Sequence, residues 1–381
     1  MIKTFEFLLP TKIIFGSGEL KKLKEELKKK NPKKIMVVTD PNLRNLEIFD
    51  KLQEQLENYE YVVFDDVEAN PKDYNVEKGA EFALDEKVDL IIAFGGGSPI
   101  DATKVISLIA GQGGNVKAYM QKKIKIEKAL PFIAIPTTAG TGSEVTFSSV
   151  ITDTEEKFKY TVKSPLIAAD VAIIDPELTL TLPKSITATT GMDALTHAIE
   201  GYTALCTEPI AESLGLTAVS YITNNLEEAV KDGKNIEARE NVMMGSLLAG
   251  LSFSHSDVAA VHCMAEALGS IYDSPHGTCN SVLLPYVMEY NLPTTTNKYA
   301  SIAREMGIDG EDDLEVAKKG IEKIKELSKL IGLPDFKSLD INPDDFEKLS
   351  EMSEKNGSTP SNPRYINKEQ YLDIFKKAYK D

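Results

Sequence analysis

Three cysteines in 381 residues, Cys206, Cys263 and Cys279, form no C-x-x-C pair. So few and so scattered, they exclude a disulfide framework and a thiolate zinc knuckle, and they suit a reducing cytoplasm. Arginine is nearly as scarce. Arg44, Arg239, Arg304 and Arg364 stand apart, so no cluster offers a bidentate grip on a polyanion. Basic residues number 43 against 59 acidic ones, a formal net charge of −16, and no basic run with interleaved aromatics relieves it. A nucleic-acid partner is therefore not expected. Long apolar runs are missing too: Glu6 interrupts the first ten residues, and nothing approaches the ~18 continuous apolar residues of a membrane span. No signal peptide, anchor or membrane partner is expected. The catalytic signatures G-x-S-x-G and H-E-x-x-H are also absent.

What is present is enough apolar sequence, 42 %, for a globular protein of two domains. Short β-type runs, Ile35–Thr39, Tyr61–Phe64, Leu90–Phe94, Phe132–Ile135 and Val171–Ile174, alternate with helical patterns over Arg44–Asn58, Asp73–Lys87 and Pro99–Ala110. Continuous apolar strands need cover on both faces, which predicts an α/β domain with a doubly wound, mostly parallel, Rossmann-like sheet. Beyond Pro183 helical periodicity takes over, in Lys184–Thr203, Pro209–Lys231, Asn235–Ser252 and His255–Ser270. The expected division is residues 1–183 as the α/β domain and 184–381 as an all-α domain, packed directly with a ligand cleft between them.

Gly95-Gly-Gly-Ser-Pro-Ile-Asp101 follows a predicted strand and opens a predicted helix. Glycines admit close backbone approach, Ser98 can cap the helix, Pro99 suits its first turn, and a helix N-terminus favours an anion. A phosphate site is the expectation, although the loop is neither a G-x-G-x-x-G fingerprint nor a Walker loop. Pro136-Thr-Thr-Ala-Gly-Thr-Gly-Ser-Glu144 offers hydroxyls at another strand end. Asp40, ending an early strand, can accept both ribose hydroxyls of an adenosine and repel a 2′-phosphate, or can serve as a turn residue beside Pro41. Asp193 and His197 lie four apart in Gly191–Glu200 and share a helix face, while His262 and His276 follow later. One carboxylate and three imidazoles suit Fe(II), Zn or a similar ion and disfavour Mg and Ca. His255 falls seven residues before His262, ~10 Å along a shared helix, too far to bind the same ion; a pocket-lining place is expected for it.

Together Gly95–Asp101, Pro136–Glu144, Gly191–Glu200 and Pro275-His-Gly277 resemble the iron-containing, or group III, alcohol dehydrogenase family, and the likeness runs from Pro10 to Arg364. The resemblance implies a nicotinamide cofactor, NAD rather than NADP given Asp40, and a metal held by Asp193, His197, His262 and His276. It sets Gly96, Gly97, Ser98 and Asp101 near the pyrophosphate and Thr137 and Thr138 on the adenosine side, with Asn70, Val150 and Lys159 completing the cofactor site. A homodimer or higher homo-oligomer is expected from the same likeness. The implied activity is interconversion of a small primary alcohol and its aldehyde, working as an aldehyde reductase. The alternatives are a glycerol or polyol dehydrogenase, or a dehydroquinate synthase-like cyclase, on the same scaffold, and a catalytically silent relative.

Three positions depart from the family pattern. His255 stands for the usual Asn, Ala259 for Gly, and Glu266 for a final His beside the reacting centre. With His262 four residues earlier on the same face, Glu266 is expected to reach the site and, with His255 and Asp257, to give the pocket an acidic, polar lining. Such a lining favours aldehydes bearing a hydroxyl or a positive charge.

Overall fold

Every predicted strand forms: four are apolar runs buried along their length, and Tyr61–Phe64 is the partly buried edge strand. The computed structural model describes residues 4–380, which divide into two compact units. The α/β unit comprises Leu9–Thr138 and Ser143–Leu180. Its elements are β1 (Lys12–Phe15), α1 (Leu23–Lys30), β2 (Ile35–Val38), α2 (Glu47–Leu56), β3 (Tyr61–Phe64), α3 (Asp73–Asp85), β4 (Leu90–Gly95), α4 (Gly97–Gln112), α5 (Val116–Met120), β5 (Phe132–Pro136), β6 (Ser148–Asp153), β7 (Phe158–Lys163) and β8 (Val171–Ile174). Six strands form one parallel sheet in the order β1-β8-β5-β4-β2-β3. Alternate residues feed two cores: Met36, Val38, Ile91 and Ala93 pack with α3 and α4, and Ile35, Val37, Ile92 and Phe94 with α1 and α2. Strand order reverses where β2 pairs β4, so the loops after these strands, with Asp40 and Gly95–Ser98, flank the switch point at which such sheets bind ligands.

Strand β1 and the antiparallel β6–β7 ribbon lie outside the predicted set, since Lys, Ser and Thr interrupt their apolar pattern. Helix α4 begins at Gly97, with Gly96 as its N-cap, so Ser98 is the second helical residue rather than the cap.

Among the described residues, the helical unit comprises 4–8, the short stretch Ala139–Gly142, and 181–380. It holds α6 (Lys184–Thr203), α7 (Pro209–Thr223), α8 (Leu226–Lys231), α9 (Ile236–His255), α10 (Ala260–Tyr272), α11 (His276–Glu305), α12 (Asp313–Leu330), α13 (Phe346–Lys355) and α14 (Lys368–Lys380). Helix α6 has the predicted bounds. The pattern over 209–231 breaks at Asn224 and Asn225, and the Asn225 side chain donates to Tyr221 O, the local competition that makes Asn a poor helix interior.

The predicted helix over 255–270 needs correction. His255 ends α9, and the chain leaves the helix at Ser256 and resumes it at Ala260. The break is held by polar groups: Asp257 Oδ1 accepts the Val258 N–H, and Ser256 Oγ donates to Ser252 O. His255 and His262 therefore belong to different helices. Among the described residues no helix is long and apolar enough to cross a membrane.

Candidate active site

Helix α6 carries Asp193, His197 and Glu200 at helical spacing on one buried face. Helix α11 crosses it closely at Gly277, where a Cβ would run into the backbone carbonyl of Thr189, so only glycine permits the approach that sets His276 beside Asp193. The first turn of α10 delivers His262. Ligand atoms of Asp193, His262 and His276 all lie within 4.8 Å of one another. His197 adjoins this trio: its Nε2 is 3.0 Å from His262 Nε2, its Nδ1 is 3.9 Å from Asp193 Oδ2, and its ring stacks on Phe253. The structure thus brings all four predicted ligands into one cluster, buried except at His276, with His197 at its edge.

The donor chemistry fits a divalent transition ion, since borderline imidazoles predominate over the one hard carboxylate, a set suited to iron or zinc. Burial opposes charge on His197 and pushes its pKa down to about 4, which keeps it a neutral donor. For Asp193 burial works the other way, but the three imidazoles and Asn280 outweigh it and hold the carboxyl below its usual range.

Two residues of this cluster were given no role from sequence. Glu200 Oε2 accepts His262 Nδ1–H at 2.6 Å and the Ala259 N–H at 2.8 Å, while Oε1 accepts the Val261 N–H at 2.7 Å. One carboxylate therefore caps the start of α10 and orients the imidazole that α10 supplies. Burial opposes a charge on His262, but its bond to Glu200 outweighs that and raises its pKa. Asn280, one turn after His276, donates to Asp193 Oδ1 at 2.6 Å. The available signal was spacing, three residues from His197 and four from His276.

The other predicted pocket residues are placed differently. His255 stacks on Phe7 with ring centroids 3.8 Å apart, and its nitrogens lie 2.8 Å from Leu251 O and 2.7 Å from Leu8 O. Its ring contacts the N-terminal segment, and the helix it was expected to share with His262 is interrupted between them. Asp257 accepts hydroxyls from Ser358 and Ser361. Glu266 does follow His262 by one turn of α10, and its Oε2 accepts Asn356 Nδ2 at 2.6 Å.

In the α/β unit, helix α4 starts from Gly96, and among the described residues this N-cap makes no side-chain cap hydrogen bond. Gly95 has φ +155° and a Cβ there would lie 2.7 Å from Pro99, so the cradle requires glycine. Beside Gly96 stands Thr138, and Thr137 N–H donates to Gly95 O. Backbone amides at a helix start, with hydroxyls beside them, fit a pyrophosphate. The Asp101 carboxylate is already engaged: Oδ1 accepts Ser143 Oγ at 2.5 Å and Lys104 Nζ at 3.3 Å, and Oδ2 accepts the Val150 N–H at 2.9 Å. Asp101 and Val150 are thereby joined, and Lys104, fully buried with bonds also to Thr146 and Ser148 O, is the strut that sequence reasoning missed. Lys159 Nζ donates to Asn70 Oδ1 at 2.8 Å, with Asn70 in the left-handed region at φ 51°. Asp40 Oδ1 accepts the N–H groups of Asn42 and Leu43, each at 3.0 Å, the turn role that was its alternative.

Residues 10–176 match the sequence model of the iron-containing alcohol dehydrogenases, and residues 187–379 match that of the family's C-terminal region. The chain is 40 % identical over 384 residues to a 1,3-propanediol dehydrogenase of Citrobacter freundii, covering 99 % of each chain. It is 38 % identical over 386 residues to a choline dehydrogenase of Bacillus subtilis, covering 100 % of this chain and 96 % of that one. Among solved structures, an alcohol dehydrogenase from Oenococcus oeni superposes with a TM-score of 0.95 at 38 % identity, over 99 % of this chain and 100 % of that one.

Proposed function

The chain belongs to the iron-containing alcohol dehydrogenase family, and from that premise we propose that it interconverts a small primary alcohol and its aldehyde with NAD(H), acting as an aldehyde reductase. The observation that carries the reading is the convergence of Asp193, His262 and His276 from three helices within 4.8 Å, with His197 beside them. These four residues would hold Fe(II), or Zn, which when bound supplies a Lewis acid for the substrate oxygen. Asp193 contributes the charge that offsets the cation, the neutral imidazoles contribute lone pairs, and Glu200 holds His262 in the tautomer whose Nε2 faces the site. The amides from Gly96 to Ser98, with Thr137 and Thr138, would bind the cofactor's phosphates and adenosine side, and Asp101, Val150, Asn70 and Lys159 shape the surrounding wall. A cytoplasmic homodimer or higher homo-oligomer is part of the proposal.

The test is a screen of NADH oxidation by Fe(II)-loaded protein across short aliphatic, hydroxylated, anionic and cationic aldehydes. Turnover of at least one class is expected, and silence across all four with metal and NADH both bound would defeat the reading. Cofactor choice rests on Asp40. Its Oδ1 serves the turn, which leaves Oδ2 for a ribose, so Asp40→Gly is expected to shift the NADH to NADPH ratio of kcat/KM toward NADPH by about tenfold, the ~1.4 kcal/mol scale of one lost charge contact. A wild type that already prefers NADPH would show Asp40 to be a turn residue only.

For substrate class we infer that Glu266 supplies a polar, acidic element near the reacting centre, held by Asn356. Similarity to both a propanediol and a choline dehydrogenase is consistent with a hydroxylated or cationic substrate. Glu266→His, which restores the usual family residue, is expected to raise kcat/KM for simple aliphatic aldehydes relative to polar ones by about tenfold. An unchanged ranking, with metal content also unchanged, returns Glu266 to a structural tie with Asn356.

A further inference from the structure

Asn280 is fully buried one turn after His276, and its Nδ2 lies 2.6 Å from Asp193 Oδ1, 3.1 Å from His262 Nε2 and 3.2 Å from His276 Nε2. These are the three residues whose ligand atoms converge. The nitrogen end of the amide is the one that faces them, because the reverse orientation would set a carbonyl oxygen 2.6 Å from a carboxylate oxygen. His262 Nδ1 is given to Glu200, so its Nε2 presents a lone pair toward the same amide. Asn280 Oδ1 is buried and finds no hydrogen-bond partner among the described residues, so the ligand atoms alone set the side chain's direction.

We propose that Asn280 is a positioning residue of the metal site: its NH2 group holds Asp193, His262 and His276 together before an ion enters, and then keeps its bond to Asp193. The inference rests on the metal reading above. Two partially positive hydrogens facing three acceptors do weakly what a cation does strongly. They lower the mutual repulsion of a carboxylate and two lone pairs that would otherwise drive the empty site apart. An ion then meets a set of ligands already converged, and the Asp193 carboxylate keeps one oxygen anchored while the other is free to serve.

The experiment uses Co(II), whose visible bands report its coordination, added to metal-stripped full-length wild type, Asn280→Leu and Asn280→Ala, with affinity read by chelator competition. Either Asn280 variant is expected to lose 10- to 100-fold in Co(II) affinity, the usual cost of removing an outer partner of a ligand, and to show shifted bands when fully loaded. NADH affinity should stay within twofold, since the phosphate cradle belongs to the other unit. A residue that merely fills space would lower stability and leave the loaded spectrum as it was. An affinity within threefold of wild type, or an unshifted spectrum in whichever variant folds, overturns the proposal. A wild type that binds no Co(II) would defeat the metal reading itself, a result distinct from equal binding by wild type and variant.

Discussion

Replacing His276 by alanine is expected to strip the protein of its metal and to lower aldehyde reduction by about 10³-fold or more, while NADH still binds. The size follows from the chemistry: a Lewis acid at a developing alkoxide contributes several kcal/mol, and each ~1.4 kcal/mol is a factor of ten in rate. His276 suits this test because it is the least buried of the trio, with its side chain 27 % exposed against 3 % for both His262 and Asp193, so truncation leaves little empty core. Metal content, turnover and NADH fluorescence titration on the same preparation separate the outcomes. Normal turnover from metal-free His276→Ala protein would end the metal hypothesis.

Glu200→Gln is expected to produce the second-largest effect, although Glu200 is not itself a ligand. Its carboxylate accepts three N–H bonds, from Ala259, Val261 and His262, and an amide must turn one acceptor into a donor that faces another donor. If the lost bond is that to His262, metal affinity should fall by about 10- to 100-fold. The N–H left without an acceptor should also cost about 1–3 kcal/mol of stability in the metal-free protein, because the groups are buried. Chelator competition gives the first quantity and urea unfolding the second. Unchanged values for both would show that Glu200 neither orients His262 nor caps α10.

The sequence made the parallel sheet legible because Ile35–Val38, Leu90–Gly95 and Phe132–Pro136 are unbroken apolar runs, which only a doubly covered sheet can bury. It revealed Asp193 and His197 because an i, i+4 pair on a helix is a local signal. The positions of His262 and His276 relative to that pair depend on how α10 and α11 cross α6, which no local pattern states. For the same reason Glu200 and Asn280 were hard to see as partners of His262 and Asp193: Glu200 bonds residues 59 to 62 positions away, and Asn280 bonds Asp193 across 87 positions. His255 shows the converse error. Seven-residue spacing implied one shared helix with His262, but Ser256 and Asp257 offered the backbone alternative bonds, the helix broke, and the ring turned to Phe7 and Leu8. Asp101 was legible as a residue of the glycine loop but not as the centre of a buried network, since Ser143 and Val150 approach it only in the folded chain.

The central claim is that Asp193, His197, His262 and His276 hold a divalent ion on which NADH-dependent aldehyde reduction depends. The most direct measurement strips the protein of metal with a chelator, restores Fe(II) in steps without oxygen, and follows bound iron and NADH oxidation together. The account predicts that turnover of a short aldehyde rises in proportion to bound iron, saturates at one ion per chain, and vanishes again on chelation. Full turnover by the stripped protein, or none at one ion per chain with any aldehyde of the screen, would contradict it.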